Sequence, residues 1–249
     1  VLASLSAKTV QQIILVSSGA VSSGRKIASN HLKQKYGSSI AEKQVLASLG
    51  QHELINLYSE LFKKRSLLTS QLLLTKQDFQ TRQHYLNISR LLHELLNQCD
   101  IIPIVNENDS VSIEELMFTD NDELAGLIAA QVNADKLIIL TNVAGVYTDS
   151  PDIVGAQLIS QIDPNQGWPL VSTSKSPNGR GGMHSKMSTA KRASDLGIKT
   201  HIATINEPNV LQRIVNDEPL GTTILPCKKK SSIKRWISYN KDQQSAVIY

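Results

Sequence analysis

Three polar stretches of this sequence contain residue types suited to an anionic substrate. Asparagine and aspartate are concentrated in NEND at 106–109 and in DND at 120–122, and each cluster adjoins apolar sequence. The third stretch, GRGGMHSK at 179–186, places a glycine-rich turn before a predicted helix and a lysine in its first turn. Such turns bind anions because the free N–H groups and the helix dipole point the same way. Together the stretches favour phosphoryl transfer, in which Mg²⁺ neutralises the charge of a nucleotide.

Other motifs built from these residue types do not fit the spacing. The glycine-rich stretch matches neither the Walker A pattern nor the pattern G-x-G-x-x-G of dinucleotide-binding proteins. Leu124 stands two residues after Asp122, where an EF-hand loop needs another oxygen ligand. His93 and Glu94 do not begin H-E-x-x-H, because Asn97 stands where the second histidine belongs. No G-x-S-x-G hydrolase motif occurs.

The elements that must position these stretches follow from the hydrophobic pattern. Short apolar runs predict strands covered on both faces, and helical patterns lie between them. The predicted strands are 13–16, 72–74, 101–105 and 137–140, with weaker candidates at 202–203 and 222–224. The predicted helices are 41–63, 82–97, 121–132 and 184–196. This alternation predicts an α/β layered fold with a mostly parallel sheet.

Polar residues follow three of the predicted strands, at 17–18, 106–109 and 141–142. In parallel α/β sheets, ligands bind beyond the carboxyl ends of the strands, which is where these residues lie. Any one of them also suits a turn or a helix cap. Their recurrence at several strand ends favours a ligand site.

Bulk composition excludes several classes of protein. The chain of 249 residues is 41% hydrophobic with a formal net charge of +4, so it can bury a sizeable core and does not require a nucleic-acid partner. Two cysteines, Cys99 and Cys227, are too few for a disulfide framework. No apolar run reaches the roughly 20 residues of a membrane-spanning helix, and no secretory signal is visible. These observations predict a cytoplasmic protein without membrane association.

Six motifs, in this order and spacing, resemble those of the glutamate 5-kinases in the amino acid kinase family. They are VSSGAVSSG (16–24), NEND (106–109), DND (120–122), LT-x-x-x-G-V-Y (140–147), GRGGMHSK (179–186) and GTT (221–223). The resemblance implies a three-layer sandwich around a mostly parallel sheet, formed by residues 1–226. Residues 227–249 are expected to be a linker or tail, since KRW at 234–236 is similar to the family's linker to a C-terminal RNA-binding-like domain that this chain lacks.

The resemblance also implies an activity and a set of site residues. ATP, with Mg²⁺, would phosphorylate the side-chain carboxylate of L-glutamate to glutamyl 5-phosphate, the first step of proline biosynthesis. Asp122 and Lys186 match catalytic positions, and Ser18, Gly19, Asp109 and Asn121 match substrate-binding positions. No residue is predicted to ligate a metal directly. The ATP-binding segment corresponds to Thr141, Asn142, Arg180, Gly181, Gly182, Met183, His184, Ser185 and Lys186.

The family further implies partners and regulation. Proline is expected to inhibit at the glutamate pocket, with residues 110–119 as a flap, and glutamyl phosphate reductase is expected to take the product. A homodimer or homotetramer is expected as well.

The sequence departs from the family pattern at four places. The family opens with a strand carrying K-x-G-S, whose lysine contacts the transferred phosphate, and this chain starts after it; we expect the sequence to be incomplete there. Asn142 occupies a position where many family members have Asp, and Arg180 occupies one where Thr is common. Residues 204–206 lack a Gly that is often found there in the family. Because of the missing Gly at 204–206, the residues on the adenine side of the pocket are not assigned.

Three other functions remain open from the sequence. One is a related kinase that acts on acetylglutamate, aspartate or UMP. Another is a non-catalytic regulator that binds an amino acid and has lost the first lysine. The third is an RNA-binding module that uses the basic tail from residue 228 onward.

Overall fold

The computed structural model describes residues 12–32, 35–112, 118, 120–169 and 182–227. Arg180 and Gly181, most of the expected flap and the tail after Cys227 lie outside these residues. The chain forms two compact units whose boundary falls between Asn121 and Asp122. We call them the N-terminal unit and the C-terminal unit.

The N-terminal unit contains a three-stranded parallel sheet in the order β1-β3-β2. Its strands are β1 (Leu15–Val16), β2 (Leu68–Leu74) and β3 (Ile101–Glu107). Its helices are α1 (Ala20–Ile27), α2 (Ile40–Lys63) and α3 (Arg82–Leu96), with a π-helical turn at Ala28–Leu32 and a 3₁₀ turn at Lys76–Phe79. The strands alternate with the helices because each parallel connection needs a crossover.

Local sequence explains where the longest helix begins. Ser39 is the N-cap of α2, and its hydroxyl accepts from the backbone N–H of Glu42, whose carboxylate accepts in return from the backbone N–H of Ser39. This reciprocal capping satisfies two backbone donors that the first turn of a helix leaves open.

Helices α1 and α2 cross at two glycines. A Cβ added to Gly50 would lie 1.8 Å from the carbonyl oxygen of Ala20, and one added to Gly24 would lie 1.8 Å from that of Leu46. Only glycine permits this approach of the two backbones. Because α1 begins directly after Gly19, the crossing also sets the position of the turn between β1 and α1.

The C-terminal unit contains a four-stranded sheet in the order β4-β6-β7-β5. Its strands are β4 (Lys136–Thr141), β5 (Gln161–Ile162), β6 (Lys199–Thr204) and β7 (Thr222–Ile224). The helices are α4 (Asn121–Val132), α5 (Met183–Asp195) and α6 (Val210–Val215), with a 3₁₀ turn at Pro164–Gln166. Its core includes Ile139, Val146, Ala190, Ile202 and Ile224, all fully or nearly buried.

These elements confirm the prediction of an α/β fold with mostly parallel strands. Strands β6 and β7 are antiparallel, and the other four pairings are parallel. All six predicted strands and all four predicted helices are present. The hydrophobic pattern does not reveal α1, α6 and β5, because elements of eight, six and two residues carry too little periodicity.

A charged cluster lies at the start of strands β4 and β6, away from their carboxyl ends. The Nζ atoms of Lys136 and Lys199 lie 2.9 Å and 2.7 Å from one carboxylate oxygen of Asp217. The hydrogen bonds from Lys199 and then Lys136 hold the pKa of Asp217 at about 2. Lys136 also donates to the carbonyl oxygens of Ile214 and Val215 at the end of α6, where a cation is favoured by the helix dipole.

Replacing His201 by Gln is expected to flatten the acid dependence of stability. Burial, then the charges of Lys199 and Lys136, lowers the pKa of His201 from 6.5 to about 4. Between these values the unfolded chain binds more protons than the folded one. The contribution of His201 to stability is therefore fully present above pH 6.5. As the pH drops toward 4, the free energy of unfolding falls by at most about 1.4 kcal/mol per pH unit.

Denaturant unfolding of the wild type and of His201→Gln at several pH values between 4 and 7 measures this slope. The exposed His93 on α3 provides the matched control, and His93→Gln should keep the wild-type slope. Equal slopes in all three proteins would show that another group controls acid sensitivity.

Candidate functional site

A network of buried and partly buried side-chain amides connects the carboxyl ends of β1 and β3 in the N-terminal unit. The Nδ2 atom of Asn121 donates to the carbonyl oxygen of Ser17 at 2.7 Å and to Oδ1 of Asn106 at 3.0 Å. Ser17 itself continues the sheet, since its N–H donates to the carbonyl oxygen of Val105. The structure thus brings together one residue from each of the stretches VSSG, NEND and DND.

Asn106 is only 2% exposed and is held at both ends of its amide. Its Oδ1 accepts from the backbone N–H of Glu107 at 2.9 Å, and its Nδ2 donates to Oε1 of Gln51 at 2.8 Å. A backbone N–H can only donate, so the orientation of the Asn106 amide follows from chemistry. The same argument orients Asn121, because both groups facing its Nδ2 are acceptors.

The Oδ1 atom of Asn121 is buried and has no hydrogen-bond partner among the residues that the structure describes. A buried amide oxygen is normally paired, and leaving it unpaired costs free energy. This atom is therefore a candidate acceptor for a ligand.

Phe118 is held by two contacts within the N-terminal unit. A carboxylate oxygen of Glu107 accepts from the backbone N–H of Phe118 at 3.0 Å, and the ring of Phe118 packs edge-on against Phe79 with centroids 6.0 Å apart. Asp109 lies in the turn after β3 and is partly exposed. Ser18 and Gly19, in the turn before α1, are exposed.

In the C-terminal unit, Lys186 and Asp122 form an ion pair between the first turns of α5 and α4. The Nζ of Lys186 lies 2.6 Å from Oδ2 of Asp122, and the side chains are 16% and 19% exposed. Partial burial strengthens such a pair relative to one at the surface. Asp122 thereby restricts where the ammonium group of Lys186 can lie.

Of the other predicted nucleotide residues, those that the structure describes lie in two segments of the same unit. Gly182 is the N-cap of α5 and has no side chain to cover the N–H groups of the first turn; Met183 packs against the core, and His184 is exposed. Thr141 ends β4, and its carbonyl oxygen accepts from the N–H of Ile205. Asn142 follows it and is exposed.

Thr222 of the GTT motif is hydrogen-bonded to the connection that follows β4. The Thr222 hydroxyl accepts from the N–H of Val146 at 2.8 Å and donates to the carbonyl oxygen of Ile159 at 2.6 Å. Gly221 has a φ of 67°, and a Cβ there would lie 2.3 Å from the carbonyl oxygen of Ile202. The motif thus joins this loop to the sheet, a role that the sequence did not reveal.

Sequence reasoning also missed Gln51, which anchors the amide network. A signal for it exists in the pattern of α2, where Ala47, Gly50, Gln51 and Leu54 form one buried stripe. A glutamine inside an otherwise apolar stripe must have a buried partner, although the sequence does not say which.

The sequence of this chain matches a known protein family. Residues 1–204 match the amino acid kinase family. The chain belongs to this family.

Several curated relatives of the chain are glutamate 5-kinases. The chain is 44% identical to the glutamate 5-kinase of Chlorobaculum tepidum over 95% of this chain and 64% of that protein. It is 41% identical to that of Bacteroides thetaiotaomicron, over 97% of this chain and 67% of that protein. A third, from a Thermoanaerobacter species, is 41% identical over 92% and 62%. The chain thus spans between 62% and 67% of the length of these relatives.

A solved structure is similar in fold. The uridylate kinase from Archaeoglobus fulgidus superposes with a TM-score of 0.54 over 90% of this chain and 88% of that one, at 20% identity. At this identity the likeness concerns the fold alone.

Two features are absent from the described residues. Among them, no helix combines the length and the apolar character that crossing a membrane requires. They also contain no group of three His, Cys, Asp or Glu side chains arranged to hold a metal ion.

Proposed function

We propose that this chain transfers the γ-phosphoryl group of ATP to the side-chain carboxylate of L-glutamate, giving glutamyl 5-phosphate. The observation that carries the proposal is the Lys186–Asp122 ion pair, with its 2.6 Å contact, in the first turn of a helix capped by Gly182. The glutamate 5-kinases that the chain resembles support the choice of substrate.

The reaction requires alignment and charge neutralisation rather than proton transfer. A carboxylate oxygen of glutamate attacks the γ-phosphorus, the bond from that phosphorus to the bridging oxygen breaks, and ADP leaves. The acceptor is already an anion at neutral pH, because its pKa is about 4. Catalysis therefore depends on holding the two anions in line and stabilising the transferred group.

Lys186 and Asp122 have different roles in stabilising the transferred group. An ammonium group has three N–H donors, and the bond to Asp122 uses one of them. Lys186 stabilises negative charge on the transferred phosphoryl group, and Asp122 acts as a positioning residue by holding the lysine.

The nucleotide fits the same region of the C-terminal unit. The uncovered N–H groups after Gly182 suit its phosphates, and we assign Thr141, Asn142 and residues 180–186 to nucleotide binding. Mg²⁺ neutralises phosphate charge and prefers phosphate oxygens and water as ligands, so we place it on the nucleotide.

The N-terminal unit is proposed to bind the amino acid. Asp109 attracts the ammonium group, and Ser18, Gly19 and Asn121 supply neutral hydrogen bonds. We place the kinase domain at residues 1–226 and a linker at 227–249. The activity would begin proline biosynthesis in the cytoplasm, with proline as feedback inhibitor, a reductase as consumer of the product and a homodimer or homotetramer as the assembly.

The test is ADP release by the full-length protein with ATP and Mg²⁺, using glutamate, acetylglutamate, aspartate and UMP as alternative acceptors. Hydroxylamine in parallel reactions converts an acyl phosphate to a hydroxamate, which separates carboxylate phosphorylation from simple ATP hydrolysis. We expect ADP and hydroxamate in equal amounts with glutamate. Turnover with a different acceptor, or glutamate binding without turnover, would contradict the proposal and identify a related kinase or a regulator.

Millimolar proline in the same assay tests the regulation. We expect it to raise the KM for glutamate, because the proposed site of inhibition is the glutamate pocket. Unchanged kinetics would reject this part of the proposal, and sedimentation as a monomer would reject the proposed assembly.

A further inference from the structure

We infer that Gln51, acting through Asn106, sets the Asn121 amide so that its Oδ1 accepts a hydrogen bond from the ammonium group of the amino acid substrate. Gln51 is a positioning residue that touches no substrate itself. The inference rests on the proposed function and deepens it, because it names the substrate group that this side of the pocket selects.

The hydrogen bonds of the amide network all run in one direction. They run from Asn121 Nδ2 to Asn106 Oδ1 at 3.0 Å and from Asn106 Nδ2 to Gln51 Oε1 at 2.8 Å. Every donor in this series faces an acceptor, and Gln51 supplies the last one. Gln51 and Asn106 are 9% and 2% exposed, so water does not readily replace either partner.

The Oδ1 atom of Asn121 lies at the other end of this series. Both hydrogens of the Asn121 amide are used, one by Asn106 and one by the carbonyl oxygen of Ser17. Its buried Oδ1 has no partner within the part of the chain that the structure describes. This oxygen can only accept, so the ligand atom that satisfies it must carry a hydrogen.

Only one group of the substrate can meet this requirement. At neutral pH both carboxylates of glutamate are ionised and act only as acceptors. The ammonium group is then the sole donor of the substrate. Asn121 Oδ1 therefore selects for the ammonium group, and it does so only while the amide keeps its present orientation.

Gln51 keeps the Asn106 amide in this orientation. Removing its acceptor leaves Asn106 Nδ2 buried without a partner, and Asn106 then gains by turning toward other acceptors. Such a turn also releases Asn121. The loss should weaken recognition of the ammonium group more than recognition of the carboxylates.

Calorimetric binding of glutamate and glutarate, without ATP, tests this inference on the full-length protein. Glutarate has the same two carboxylates and lacks the ammonium group. We expect Gln51→Met to raise the Kd for glutamate about tenfold and to change the Kd for glutarate much less. Gln51→Glu retains an acceptor oxygen and should keep most of the wild-type preference.

Two further variants separate positioning from loss of stability. In a background of Asn121→Ala, the change Gln51→Met should have no additional effect on the glutamate preference, because Gln51 acts through Asn121. Leu54→Ala, in the same buried stripe of α2, should lower stability, and it removes no hydrogen bond of the amide network. It should leave the ratio of the two Kd values unchanged.

The outcomes distinguish this inference from the proposed function. Equal weakening of both ligands by Gln51→Met, additive effects of the two substitutions, or a wild type that binds glutarate as tightly as glutamate would each overturn the role of Gln51. A wild type that prefers glutamate as described and transfers no phosphoryl group would support that role and reject the kinase.

Discussion

Replacing Lys186 by Met should lower kcat with glutamate by about 10²–10³-fold, while the Kd for glutamate changes little. Met removes the positive charge and keeps most of the side-chain volume. The lost interaction is strongest with the charge that develops on the transferred group, so the effect falls on turnover. Steady-state ADP release and calorimetric glutamate binding measure the two quantities.

Lys191 on the same helix supplies the matched control. Its Nζ lies 5.7 Å from the centre of the Trp168 ring, and Lys191→Met should keep a near wild-type kcat. Asp122→Asn should lower kcat by a smaller factor, because Lys186 keeps its charge and loses the anion that holds it. Equal kcat values for Lys186→Met and Lys191→Met would exclude Lys186 from catalysis.

Replacing Gly50 by Ala should destabilise the protein by roughly 3 kcal/mol or more, which corresponds to a fall in Tm of about 6–12 °C. The added Cβ would lie 1.8 Å from the carbonyl oxygen of Ala20 and 2.3 Å from the backbone nitrogen of Gly24. Both contacts are with backbone, so helices α1 and α2 must separate. Thermal unfolding followed by circular dichroism measures the loss.

The same change should also weaken glutamate binding, because α1 begins directly after Ser18 and Gly19. Ser48→Ala is the matched control, since Ser48 is exposed on the same helix and should shift stability by less than about 0.5 kcal/mol. A Gly50→Ala protein as stable as Ser48→Ala would mean that the helices do not cross as closely as described.

The sequence by itself determined most of the helices and strands and the two charged residues of the candidate site. Runs of apolar residues identified strands β1 to β4 because buried parallel strands are apolar on consecutive positions. The boundaries of α4 were predicted to the residue, since Asn and Asp favour the start of a helix. Lys186 and Asp122 were singled out by motif, and the structure places them in direct contact although 64 residues separate them.

Tertiary structure alone decided which buried atoms face one another. Periodicity shows that Gln51 belongs to a buried stripe, but the partner of its Oε1 lies 55 residues away on β3. Gly24 and Gly50 resemble ordinary helix glycines until the two backbones meet. Thr222 resembles an ordinary strand residue until its hydroxyl joins the connection after β4 to the sheet. The physical reason is that burial depends on one residue and its local period, whereas a hydrogen bond or a close approach depends on the positions of two distant segments.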